Sequence, residues 1–397
     1  MTGHRKQMGQ FNKKQTIDLL EALLHGLAKS RAGKRAILAV ESGDQSFRWT
    51  GTSGNTAAGE AIVANTPFFI ASIDKLYNAT IALMLAERGK LDVDESICHY
   101  LPDTLVRGLH HDGSRDRTAE ITLRHLLTHT SGLAEWLEDY PKGCPSLVET
   151  VLKEGDRALT VDEIAAHVRD RLRPHFPPQK LTGRRVRVRY SDTNFVLLVE
   201  VIEAVTGLPL HEIHRQMLHE PLGLHHSYFP GHNQALAPTA TPMMLCVNGE
   251  PLHIPLLIQS VKGIYSTAAD MMSFMRHLMQ GDLFLEQNTL ATMRSDWHRF
   301  GFPLDRAALR SPNWPIEYGM GMMRFRIPRL FTPLTPMPAV LGHTGSTGCW
   351  LFYCPDLDML ISGTVEDVTA GAVPFRTVPR VLRVLSESGY QPPDKRR

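Results

Sequence analysis

No stretch of this 397-residue chain runs to the 18 or so consecutive apolar residues that a membrane-spanning helix needs. The basic opening MTGHRKQMGQFNKKQ leads into no apolar segment of secretory type. Cysteine is scarce: five residues (98, 144, 246, 349 and 354), an odd number with no C-x-x-C pair. Cys349 and Cys354 fall in one predicted strand, on opposite faces and roughly 16 Å apart, too far for a disulfide. Reduced thiols in a cytoplasmic protein follow from that usage. The formal charge of +2 is near balance and gives no reason to expect nucleic acid as a partner. There is no internal repeat and no low-complexity block.

Several site chemistries are missing as well. No G-x-S-x-G occurs, which removes the usual strand–turn–helix nucleophile of α/β-hydrolases. The 19 histidines form no H-E-x-x-H helix. His211-Glu212-Ile213-His214 has the wrong spacing, and His219-Glu220 runs into Pro221. His110-His111 and His225-His226 read as solvated loop pairs. No metal and no cofactor are expected.

What is present is a soluble composition, 43% hydrophobic and 21% charged, with clear periodicities. Positions 17–28 predict an amphipathic first helix. RAILAVES (35–42) and QSFRWTG (45–51) predict a hairpin about Gly43-Asp44. TPFFIAS (66–72) leads into a helix whose core face is Leu76, Ala79, Leu83 and Ala86, with Gly89 as its stop. Helical segments follow near 121–129, 162–172, 193–205, 211–218 and 268–280. RRVRVR predicts a strand with Arg185, Arg187 and Arg189 on one face. Strands return at 317–326, 348–356 and 358–365, before a last helix near 374–387. The implied fold is α/β of the α+β type: an antiparallel sheet covered by helices on both faces, plus a mainly helical lobe. Residues 1–34 read as an N-terminal segment with its helix and 386–397 as a tail. Between them, 35–385 read as one catalytic domain, its sheet lobe from 35–75 and 315–385 and its helical lobe from about 90–315. The methionines at 243, 244, 271, 272, 320, 322 and 323 read as core, with cleft wall as the alternative.

Three motifs carry chemistry. Ser72-Ile73-Asp74-Lys75 puts a lysine one helical turn from a serine. A serine hydroxyl needs a neighbour to take its proton, and a buried lysine with a lowered pKa can share that work. The same four residues also fit an N-cap serine beside an exposed lysine. Tyr190-Ser191-Asp192 sits at a strand-to-helix turn, suited to aiming a phenol into a cleft or to a purely structural tyrosine. His343-Thr344-Gly345-Ser346 precedes a strong strand. Its glycine permits close approach of a substrate backbone, and it also fits an ordinary turn.

Taken together, the order and spacing of the three resemble the serine β-lactamase and penicillin-binding-protein superfamily. The likeness is greatest to class C β-lactamases, D-alanyl-D-alanine carboxypeptidases, D-aminopeptidases and related esterases. LAERGKLDVDESICHYLP (85–102), ITLRHLLTHTSGL (121–133), GIYSTAADMMSF (263–274) and EYGMGM (317–322) extend the resemblance over about 35–385. It implies that Ser72 attacks an acyl carbon while Lys75 and Tyr190 move the proton. It also implies that backbone N–H groups of Ser72 and Ser346 hold the oxyanion, and that His343, Thr344, Gly345 and Asp192 face substrate.

Two positions depart from the β-lactamase pattern. Asp192 replaces an asparagine and cannot donate to a substrate amide carbonyl. His343 replaces a lysine and is a weaker holder of a carboxylate. The expectation is therefore a serine hydrolase of an ester or small amide, with a D-amino-acid peptidase or an acyltransferase as alternatives within the family. A non-catalytic scaffold is the alternative of another class. A small-molecule ester or amide is the expected partner, with no nucleic acid and no membrane; the oligomeric state is left open.

Overall fold

The computed structural model describes residues 11–29, 34–141, 143–182, 185–300, 316–327, 329 and 337–392. The expectations for the basic opening, for Arg184 and for the end of the tail lie outside these residues. The predicted hairpin forms as β1 (Ala36–Ser42) and β2 (Arg48–Ser53), paired antiparallel. The remaining strands of the main sheet are β3 (His298–Arg299), β4 (Ile316–Tyr318), β5 (Met323–Phe325), β6 (Val340–Thr344), β7 (Trp350–Cys354) and β8 (Met359–Thr364). They form an eight-stranded sheet in the order β2-β1-β8-β7-β6-β5-β4-β3. Every pairing is antiparallel, and β1 lies against β8 from Ile37↔Thr364 to Ser42↔Met359. The start and end of the chain thus meet in the sheet, and the chain between them leaves it and returns.

Burial explains why β1, β7 and β8 read as continuous apolar runs: every residue in them is buried. Alternate side chains enter two separate cores. Ile37, Ala39, Leu351, Tyr353 and Leu360 face one; Leu38, Val40, Trp350, Phe352 and Ile361 face the other. Cys349 and Cys354 likewise divide between the two faces, and all five cysteines are free thiols. Each large apolar side chain fully buried in this way stabilises the fold by roughly 1.5–3 kcal/mol.

One core is closed by α1 (Lys13–Ala28) and by the last helix, Val373–Glu387, through Leu20, Leu24, Phe375, Val378 and Leu382. The other is closed by α2 (Asp74–Glu87), α3 (Asp192–Thr206) and α4 (Ala268–Gln280). Helix α2 is buried on nearly all sides from Lys75 to Leu85, so its polar residues are enclosed too. Gly89, at φ +64°, follows its end as predicted. Met243, Met271, Met272, Met320 and Met322 are core residues. No single described helix is long and apolar enough to cross a membrane.

Some elements differ from expectation. Residues 185–189 of the RRVRVR segment form no strand; the Arg189 N–H donates to the His129 carbonyl at 3.0 Å. Its arginines are taken up locally, Arg189 by Asp139 at 2.7 Å and Arg187 over the Phe176 ring at 4.4 Å. The helix near 121–129 shortens to Leu123–Leu127. His110 is buried rather than solvated, its Nε2–H donating to the Phe176 carbonyl at 2.9 Å.

Gly363, in β8, packs closely between β1 and β7. A Cβ there would stand 2.2 Å from the Ile37 carbonyl oxygen and 2.5 Å from the Trp350 ring. Gly363→Ala should lower stability by about 3 kcal/mol, near the upper end of ordinary overpacking costs. Urea denaturation checks this; an unchanged midpoint would contradict the packing described.

Candidate active site

The chain enters the site through Phe68–Phe69, paired with Tyr265–Ser266. It then turns at Ala71, whose φ of +44° is unusual for a residue with a Cβ. Ser72 lies in the short 3₁₀ turn Ala71–Ile73 that runs into α2. Its hydroxyl does not cap the helix, because the capping position is Ile73 and no side chain caps it. Lys75 is not exposed either: 5% of its surface is accessible. Its Nζ donates to Ser72 Oγ at 3.2 Å. Both halves of the structural alternative for this motif therefore fail.

A buried ammonium requires negative charge nearby. Asp192, the first residue of α3, places Oδ1 2.8 Å from Lys75 Nζ, and Asp74 stands at 3.8 Å. The Nζ also sits 5.4 Å from the ring centres of both Tyr190 and Phe195. Burial alone would drive the lysine's proton off, but Asp192 and Asp74 outweigh it and hold its pKa above the ordinary range. This corrects the expectation of a lowered lysine pKa. Asp74 itself is pushed up to about 6, because its burial exceeds the pull of Lys75. The Tyr190 hydroxyl is buried and makes no hydrogen bond of good geometry. Burial and then Asp192 push its pKa up, and the Ser72 side chain is the neighbour that draws it down. At neutral pH the resting site holds an ammonium and a neutral phenol beside the serine.

The third motif divides. Gly345 packs on the turn that holds Ser72: a Cβ there would be 2.8 Å from the Ile70 carbonyl oxygen and 2.9 Å from Ala71 Cβ. Ser346, next to it, is exposed at the tip of the turn. Thr344 is buried and directs its hydroxyl to Met323 Sδ at 3.8 Å. His343 is wholly buried. Its Nδ1 lies 2.6 Å from the Thr344 carbonyl, which only accepts, so Nδ1 carries the proton. Nε2 then accepts from the Tyr318 hydroxyl at 3.0 Å. Burial, followed by the charge of Lys75, lowers the imidazole to about 3. His343 is thus neutral with both ring nitrogens engaged inside the protein. The expectation that it faces substrate is corrected: it supports Tyr318 from behind.

Three residues of the site were not read from the sequence. His129 lies wholly buried with its ring centre 4.4 Å from that of Tyr190 and 4.6 Å from that of Tyr318. Its Nδ1 accepts from the Ser191 N–H at 3.2 Å and from the Asn194 side-chain amide at 3.0 Å. The Ser131 hydroxyl orients that amide by donating to Asn194 Oδ1 at 2.6 Å. Tyr318 is the second. Glu135 is the third, a buried carboxyl whose pKa is raised by burial and then by Asp192. His129 and Tyr318 stood in the LTHTSGL and EYGMGM segments, which marked resemblance without saying what the side chains touch. Among the described residues no group of three or more histidines, cysteines or carboxylates is placed to hold a metal. His211 stacks on His232, and His214 bonds Asn78 at 2.8 Å.

A family model described as Beta-lactamase matches residues 21–382. PbpX of Bacillus subtilis, a putative penicillin-binding protein, is 26% identical over 239 residues, covering 56% of this chain and 49% of that protein. The monacolin J acid methylbutanoyltransferase of Aspergillus terreus is 44% identical over 77 residues, 18% of this chain and 19% of that protein. The matches therefore span about half the length of such curated relatives, or less. Among solved structures, a D-stereospecific amidohydrolase from Streptomyces superposes with a TM-score of 0.66 at 26% identity, over 92% of this chain and 97% of that one.

The charge balance around Lys75 can be tested without any substrate. Asp192→Asn removes the carboxylate 2.8 Å from Nζ while burial still opposes the charge. The lysine pKa should fall by about 1–3 pH units, the range for loss of a close opposite charge. Titration of selectively labelled lysine by NMR reads this directly, and an unmoved Lys75 resonance would show that Asp192 does not hold its proton.

Proposed function

This chain belongs to the beta-lactamase family, and we propose that it is a serine hydrolase that forms an acyl-enzyme on Ser72 from an ester or small amide. The observation that carries this reading is the enclosed cluster of Ser72 Oγ, Lys75 Nζ at 3.2 Å and Asp192 at 2.8 Å from that Nζ, beside the buried Tyr190 hydroxyl. A serine packed there for stability alone would not need a buried cation.

Because the resting site holds an ammonium and a neutral phenol, proton movement is best described as a relay. As Ser72 Oγ bonds to the acyl carbon, its proton passes to the Tyr190 oxygen, and the phenol's own proton passes to the leaving oxygen or nitrogen. The Ser72–acyl bond forms, the acyl–leaving-group bond breaks, and no net proton is gained. Lys75 compensates the negative charge that builds on the phenol, whose pKa in water is about 10. The backbone N–H groups of Ser72 and Ser346 stabilise the oxyanion. Water then repeats the sequence in reverse, restoring Ser72. In this reading residues 35–385 act as one catalytic unit, with no cofactor, on a small-molecule partner. Five free thiols support a reducing, cytoplasmic setting.

The substrate reading rests on charge. His343 is neutral and buried and offers no fixed cation to the carboxylate of a β-lactam. Asp192 is an acceptor only, with 29% of its side chain accessible. A second reading is that Asp192, whose side chain is partly accessible, receives the cationic amino group of a substrate such as an amino-acid amide. The likeness to the D-stereospecific amidohydrolase supports it. Acyl transfer to an alcohol is a third outcome of the same acyl-enzyme, supported by the short match to the methylbutanoyltransferase.

Short-chain p-nitrophenyl esters should be turned over with much higher kcat/KM than nitrocefin. Tyr190→Phe keeps the ring and removes the relay oxygen, so kcat should fall by about 10²- to 10⁴-fold, the usual contribution of a general acid–base group. Steady-state kinetics with one ester checks both. Equal efficiency on nitrocefin, or a near-normal rate in Tyr190→Phe, would overturn the respective claim.

A further inference from the structure

The two residues before the nucleophile's turn, Phe69 and Ile70, are held in an unusual way. The Phe69 N–H donates to Glu366 Oε1 at 3.1 Å, and the Phe69 carbonyl accepts from the Thr347 hydroxyl at 3.3 Å. The Ile70 carbonyl accepts from the Cys349 thiol at 3.1 Å. Three side chains from one distant region therefore take three of the four backbone polar groups of Phe69 and Ile70, just upstream of Ser72. All three are buried. On the far side, the Ile70 N–H donates to the Ile264 carbonyl at 3.0 Å, so the segment is fixed from both flanks.

The region that supplies the side chains is itself cross-braced. Thr347 and Cys349 follow Gly345-Ser346 in the β6–β7 turn, and Glu366 follows β8. The Gly345 N–H donates to the Cys349 carbonyl at 2.9 Å, and the Asp367 N–H to the Thr347 carbonyl at 2.8 Å. Glu366 Oε2 accepts from the Thr364 hydroxyl at 3.0 Å. Gly345 leaves no room for a Cβ between this block and Ile70–Ala71. The strained φ at Ala71 has to be imposed by its surroundings, and these bonds are the restraints next to it.

We propose that Glu366, Thr347 and Cys349 are positioning residues that set the separation between the Ser72 and Ser346 backbone N–H groups. They touch neither substrate nor the reacting atoms and act through Phe69 and Ile70. The inference rests on the reading of those two N–H groups as the oxyanion hole. Its physical content is that the hole is built from one braced unit, with its spacing decided by side chains outside the cleft. An oxyanion donor displaced by even a fraction of an ångström loses much of its effect on the transition state and little of its effect on the ground state.

The test uses Thr347→Val, which keeps shape and removes the hydroxyl, Glu366→Leu, and Glu366→Gln, which keeps an acceptor for the Phe69 N–H. For each, kcat and KM for an activated ester are measured with the inhibition constant of a phenylboronic acid, a tetrahedral mimic of the oxyanion state. Thr347→Val and Glu366→Leu should lower kcat by about 10- to 100-fold with little change in KM and weaken the boronate by a similar factor. Glu366→Gln should stay within a few-fold of the parent in both. Thermal unfolding is recorded in parallel, and Thr347→Val carries the test if Glu366→Leu does not fold. Folded variants with lower thermal stability but unaltered kcat and boronate affinity would overturn the inference. In the same series Ser72→Ala reports on the underlying reading. If it keeps activity, the serine mechanism fails; if it is dead while Thr347→Val is fully active, only the positioning role fails.

Discussion

An ammonium group removed from water has to be matched by negative charge close at hand, and much of this site follows from how Lys75 is matched. Its burial on α2 places it against Ser72, but burial alone would leave it neutral. Asp192 reaches it from the first residue of α3 and Asp74 from its own helix, so the charge persists. That choice fixes the rest of the chemistry. With Lys75 held as a cation it cannot be the resting base, and for that reason the relay proposed above runs through the neutral phenol of Tyr190. The two buried imidazoles nearby, His129 and His343, are both driven towards the neutral form by burial and then by the same lysine charge. They act as uncharged supports for Tyr190 and Tyr318.

The second constraint is topological. Ser72 comes from the first fifth of the sequence and Gly345-Ser346 from the last, yet the two turns must stand in contact. The sheet accomplishes this by seating β1 beside β8 in its interior, which draws the β6–β7 turn over the start of α2. Gly345 then permits backbone contact where any side chain would force the halves apart. The stretch between supplies Asp192 as the first residue of α3 and Tyr190 two residues before it, and α3 lies on the same core as α2. Ser72, the Tyr190–Asp192 segment and the Gly345-Ser346 turn thus come from three separate stretches brought together by one sheet and one core.

Much of this was legible from sequence because strong periodicity reports burial. The runs at 35–42, 348–356 and 358–365 became β1, β7 and β8, and the bounds of α3, α4 and the last helix lay within a residue or so of expectation. Motif spacing likewise placed Ser72, Lys75, Tyr190 and Asp192 in one cluster. What spacing does not encode is which way a side chain turns and what charge surrounds it. The alternation in RRVRVR had the period of a strand, but its described residues, 185–189, pair with no strand, and Arg189 and Arg187 meet Asp139 and the Phe176 ring instead. His343 stood in a binding motif, yet its ring turned inward to Tyr318. The lysine's pKa ran opposite to expectation because Asp192 joins its sequence neighbour Asp74 beside it only in the folded chain. His129, Tyr318 and Glu135 gave no local chemical signal; their roles depend on contacts between segments far apart in sequence.

The central claim is that Ser72 carries a covalent acyl group during turnover. Acid-quenched samples taken early in the reaction with an activated ester, analysed by intact-protein mass spectrometry and peptide mapping, address it most directly. The account predicts a mass increase of one acyl group, located on the peptide containing Ser72, that disappears once substrate is consumed and never forms in Ser72→Ala. An acyl group found instead on one of the cysteines or on Lys75, or turnover by Ser72→Ala at the parent rate, would contradict it.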